Sequence, residues 1–91
     1  MYTLVWTSHF TREAKKFAKS HPELKKKLAV VLRDLEKDPF QPHLKCHHLE
    51  GKLKGMQAVS ITDDYRITLT MVITKKEILL LDIGSHDEVY R

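Results

Sequence analysis

"YRITLTMVI", residues 65–73, is the stretch that decides the fold. Tyr65, Ile67, Leu69, Met71 and Ile73 alternate with Arg66, Thr68 and Thr70, the period of two that sends successive side chains to opposite faces of a β-strand. One face is expected in a core and the other is polar. Two further apolar stretches flank it, "MQAVSIT" at 56–62 and "EILLLDIG" at 77–84, separated from it by "DD" and "TKK". Connections that short join antiparallel neighbours, so three antiparallel strands are predicted from residue 56 to residue 84.

Upstream the period changes. "YTLVWT" at 2–7 sets Tyr2, Leu4 and Trp6 against Thr3, Val5 and Thr7, a further strand. "SHFTREAKKFAKS" at 8–20 then places Phe10, Ala14, Phe17 and Ala18 at helical spacing, with Thr7 or Ser8 available as the cap. "SHPE" at 20–23 reads as a restart in which Ser20 caps the Glu23 amide, Glu23 reaches back and Pro22 occupies the first turn. Leu24, Leu28, Val31, Leu32 and Leu35 continue as one stripe until Asp38 and Pro39 end it. So short a link predicts an antiparallel helical hairpin, with Lys15, Lys16, Lys19, Lys25, Lys26 and Lys27 outside its apolar stripes. The sheet needs a cover for its apolar face, and the hairpin is the cover available. The expected fold is therefore a two-layer α+β domain spanning 1–91: N-terminal strand, helical hairpin, then three antiparallel strands in one sheet with the helices on one face.

Composition narrows the class. Hydrophobic residues make up 42% of the 91 positions, with three glycines and three prolines, which suits one modest core and excludes a disordered or fibrous chain. Cys46 is alone, so no intramolecular disulfide can form, and no apolar run approaches the length of a membrane span. A soluble cytoplasmic protein is expected. The net charge of +4 is uneven: residues 1–55 hold twelve Lys and Arg against six Asp and Glu, and residues 56–91 hold four against six. Such asymmetry suits an acidic partner, nucleic acid or protein, or else a lysine-rich solvated surface.

The chemistry concentrates in "FQPHLKCHHLEGKLKG", residues 40–55, which lacks a clean period and carries His43, His47 and His48 with Lys45, Lys52 and Lys54. It reads as an irregular segment leading into the sheet. No paired Cys-x-x-Cys or His-Glu-x-x-His spacing accompanies these histidines, and the lysines repel a dication, so no metal and no cofactor is expected there. A serine or cysteine nucleophile motif is likewise lacking. Arg66 lies on the polar side of its strand, where its planar fork suits a phosphate or a salt bridge to Asp82 or Asp64. "GSHDEVYR", residues 84–91, brings His86 and Tyr90 four residues apart on a terminal turn. Imidazoles that exchange protons near neutrality, cationic side chains and Asp64 are the groups that metal-free RNA cleavage requires. One takes the 2′-hydroxyl proton, one offsets charge on phosphorus and one protonates the leaving oxygen. DNA lacks that hydroxyl, so this chemistry selects RNA.

With "HHLEGKLKG", "DDYRITL" and "IGSHDEVYR" in that order, the whole chain resembles the RelE/ParE superfamily of type II toxins, and within it the YafQ-type and RelE-like mRNA interferases. The resemblance implies a metal-independent, ribosome-dependent endoribonuclease, acting on mRNA in the decoding site beside ribosomal RNA and held inactive by a cognate antitoxin. It also implies catalytic roles for His47, Asp64, Arg66, His86 and Tyr90. His86 would be the general acid, His47 or Asp64 the base, Arg66 the charge stabiliser and Tyr90 the orienting group, with His48, Lys52 and Lys54 binding substrate. Ser60 stands where YafQ-like toxins carry a further histidine, and His48 competes with His47 for the working position. The alternatives implied are a ParE-like toxin that binds DNA gyrase without cutting RNA, and a non-catalytic relative that binds only an antitoxin.

Overall fold

The computed structural model describes residues 1–85. Strand β1 (Thr3–Trp6) leads into helix α1 (Ser8–Ser20) and then α2 (Lys25–Lys37), followed by β2 (His47–His48), β3 (Gln57–Ser60), β4 (Tyr65–Val72) and β5 (Glu77–Ser85). The five strands form one sheet in the order β1-β5-β4-β3-β2. The α+β architecture expected from the sequence is the one observed, with two additions. First, β1 runs parallel to β5, Thr3 opposite Glu77 and Trp6 opposite Leu80. A parallel pair needs a long crossover, and the helical hairpin supplies it. Second, the segment read as irregular contributes a two-residue edge strand, with His47 opposite Ala58 and His48 opposite Gln57.

Thr7 caps α1, its Oγ1 accepting the Phe10 amide at 3.1 Å and donating to the Leu80 carbonyl at 2.7 Å. One threonine thus fixes both the helix start and its seat on β5. The restart between the helices differs from the expectation: Ser20 ends α1 and caps nothing. The chain instead turns through a short 3-10 segment at Pro22–Leu24, for which His21 is the N-cap residue without a side-chain bond. Proline at its start tolerates the turn without an amide partner, which makes the capping box unnecessary.

Phe10, Ala14 and Phe17 of α1 and Leu28, Val31 and Leu35 of α2 are buried against Val59, Ile67, Leu69, Ile78 and Leu80 of the sheet. Tyr65 joins this layer through an edge-to-face contact with Phe17 at 5.2 Å. The predicted alternation of β4 holds from Tyr65 to Met71 and fails at Ile73, which is 58% exposed in a 3-10 turn after the strand. The turn carries the chain off the sheet before Ile73 can reach the core.

Candidate functional site

The helices cover one sheet face, and the expected site lies on the other. Pairing across β3, β4 and β5 sets Ser60 opposite Arg66 and Arg66 opposite Gly84, with Ala58 opposite Thr68 one step along. Because Val59 and Ile67 point into the core, alternation turns Ser60, Arg66, Ala58 and Thr68 the other way. Gly84 has no side chain to crowd the guanidinium. His47 is opposite Ala58 on the outer strand, so it shares this face. From the sheet's spacings, its Cα lies about 12 Å from that of Arg66, a gap that an imidazole and a guanidinium leaning toward one ligand can span.

Arg66 is half-buried. Its Nη1 donates to the Asp63 carbonyl at 3.3 Å, and it forms no ion pair among the described residues. Asp82, one of the two acids that could have neutralised it, instead meets His9 at 3.2 Å. Among the described residues the buried Arg66 Nε has no partner, nor does the Thr68 hydroxyl. Buried donors are nearly always satisfied, so an unpaired guanidinium nitrogen on this face is a donor in want of an acceptor.

The two adjacent histidines diverge. His47 Nδ1 lies 3.0 Å from the Lys45 carbonyl, which can only accept, so this nitrogen carries the proton and the neutral ring has its lone pair on Nε2. His48 Nδ1 accepts from the Gln57 amide at 3.2 Å, which gives the opposite tautomer. Their side chains leave opposite faces of β2. His48 lines an open concavity of about 540 Å³ together with Glu50, Gly51, Lys54 and Gly55. Gly51 and Gly55 have φ of +67° and +93°, left-handed values that favour glycine, and they frame the turn that presents Lys52 and Lys54 to solvent. The turn is anchored by the Thr70 hydroxyl, which donates to the Gly55 carbonyl at 3.1 Å.

Asp64 is exposed in the tight turn before β4, its amide held by the Thr62 hydroxyl at 3.2 Å. The polar strip therefore runs from Asp64 past Arg66 and Thr68 to Thr70 and Lys54, about 20 Å at the rise of a strand. His86 and Tyr90 lie outside the described residues; Ser85, the last described, is paired with Tyr65 at the Asp64 end of the strip. His43, the remaining histidine of the segment, bonds Asp34 of α2 at 2.8 Å, so it pins the loop and does not join the others. Thr68 is not among the candidates read from the sequence, and Ser60 enters there only as a departure from the histidine that the resemblance implies. The strand register is what places them beside Arg66, and the alternation at 66, 68 and 70 was the available signal for Thr68.

Residues 2–91 match the family model described as bacterial toxin of type II toxin-antitoxin system, YafQ. The chain belongs to the YafQ toxin family. Solved structures agree in fold. YafQ from E. coli strain BL21(DE3) superposes with a TM-score of 0.81 at 16% identity, covering 100% of both chains. A metal-bound toxin from Helicobacter pylori gives 0.81 at 26% identity, covering 99% of this chain and 100% of that one. The E. coli DinJ-YafQ complex gives 0.72 at 18% identity, covering 100% of both chains. No curated protein matches the sequence. Membership of the YafQ family places this protein among the toxins of type II toxin-antitoxin systems, and no helix among its described residues is long and apolar enough to cross a membrane.

Proposed function

We propose that this YafQ-family toxin cleaves messenger RNA on the ribosome by general acid/base catalysis without a metal, and that a cognate antitoxin restrains it. The buried Nε of Arg66, unpartnered among the described residues and on the sheet face away from the helices, carries the reading. A guanidinium held there offers its fork to a phosphodiester and stabilises the charge that grows on the non-bridging oxygens. His47 takes the 2′-hydroxyl proton, with Asp64 the alternative base at the other end of the strip. His86 protonates the 5′-oxygen as it leaves and Tyr90 orients the nucleotide. Alternation across β2 favours His47 over His48 for proton transfer and leaves His48 to line the neighbouring concavity. Lys52 and Lys54 neutralise backbone phosphates beyond the scissile bond.

The DinJ-YafQ structure supports an antitoxin partner for this chain, and exposed Lys15, Lys16, Lys25, Lys26 and Lys27 on the helices suit an acidic one. The test compares wild type, Arg66→Ala and His86→Ala by mapping 5′ ends of messenger RNA on translating ribosomes in the presence of chelator. New ends with wild type alone are expected. Growth arrest with intact RNA and a DNA-damage response would assign the protein to gyrase binding instead.

A further inference from the structure

We infer that His9, Glu13 and Asp82 form a binding site for a borderline divalent metal of the zinc class on the seam between α1 and β5. It borders the polar strip at Thr68, the cross-strand partner of Asp82. His9 and Glu13 are four residues apart in α1, one turn above the other on the same side. Asp82 reaches them because β5 is irregular: Thr68 of β4 is opposite Asp82, but the next residue, Leu69, is opposite Leu80, which leaves Leu81 as an extra residue. Bulges of this kind re-aim side chains. One carboxylate oxygen of Asp82 accepts the Ile83 amide at 2.9 Å and lies 3.2 Å from His9 Nε2.

One donor atom from each of the three residues lies within 4.8 Å of the other two. Two ligands on a single tetrahedral zinc, each bonded at about 2.1 Å, stand about 3.4 Å apart. The His9 to Asp82 separation, 3.2 Å, is already close to that. Glu13 needs to close by at most about 1.4 Å, which rotation of a partly exposed carboxylate provides. Its present neighbour is Lys16 Nζ at 3.6 Å, on a side chain 78% exposed, and such a solvated pair yields readily to a dication. Imidazole with carboxylates suits zinc, nickel, cobalt or copper, whereas calcium and magnesium prefer sites built of oxygen alone. Three protein ligands leave a fourth position for water. The partial positive charge at the start of α1 opposes the ion and weakens its binding. The bound metal would clamp the first turns of α1 to β5, a structural role.

Chelator-treated full-length protein titrated with zinc chloride, followed by calorimetry and by thermal melting, decides the matter. One equivalent of binding and a raised melting temperature are expected. His9→Gln and Glu13→Gln should each weaken binding by about 10-fold or more while leaving the zinc-free melting temperature almost unchanged, since neither residue belongs to the core. Absence of both heat and thermal shift at about 100 μM zinc overturns the site. So does binding that survives both substitutions and is lost in His47→Gln, which would put the metal in the histidine-rich segment.

Discussion

Arg66→Ala separates a catalytic arginine from a structural one, because the two roles predict effects of different size on different quantities. Among the described residues the guanidinium makes one long bond, 3.3 Å to a carbonyl in an exposed turn, and forms no ion pair. Losing such a bond costs about 0.5–1.5 kcal/mol, and a domain of this size has about 5–10 kcal/mol in reserve. The variant therefore stays more than about 99% folded. If the same group stabilises charge on phosphorus, its removal should lower cleavage by about 10²–10³-fold, an effect that so small an unfolded fraction cannot produce. Urea denaturation of the purified variants gives the first quantity, and primer extension on stalled ribosomes gives the second. Arg66→Lys, which keeps the charge but not the fork, should fall between. A variant that cleaves within about threefold of wild type yet loses more than about 3 kcal/mol of stability would show that Arg66 braces the turn and nothing else.

Phe10→Ala removes a ring that is fully buried and meets Trp6 edge-on at 5.1 Å. It should cost about 3–5 kcal/mol in urea denaturation, and a loss under about 1.5 kcal/mol would contradict the packing described. Burial pushes the Cys46 thiol above its ordinary pKa. Folding therefore disfavours the thiolate, and stability that is complete below the unfolded-state value declines as pH rises through the folded one. Cys46→Ala should flatten that alkaline decline, and alkylation of the native thiol at neutral pH should be slower than that of a free cysteine. Lys52→Ala should reduce the dependence of log K on log salt by about 0.7 for single-stranded RNA; an unchanged slope would make Lys52 a solvated surface residue.

Periodic elements could be read from the residues, and features set by distant partners could not. Residues 65–71 announce a strand with one polar face, and the stripe Leu24 to Leu35 announces a helix, because each pattern depends only on its own backbone repeat. The capping box at Ser20 and Glu23 failed because a 3-10 turn with Pro22 at its start joined the helices without it. Ile73 carried the alternation one residue too far, where the chain had already left the sheet. At the site, alternation put Arg66 and Thr68 on one face, but no local pattern reveals that Ser60 and Gly84 flank Arg66, since that is a matter of register between strands. Nor could adjacency distinguish His47 from His48. A two-residue edge strand separates them, and it exists through pairing with Ala58 and Gln57 and not through any propensity of histidine.

The parallel pairing of β1 with β5 joins Thr3 to Glu77, residues seventy-four positions apart. Contacts at such separation form late and slow folding. During synthesis the N-terminal strand must wait beside the helices until the final strand has left the ribosome that made it. The nascent chain accordingly lacks the completed sheet, with β4 unpaired on the β5 side and the Arg66 face unformed. Whatever that face binds is therefore withheld from it until β5 has been made.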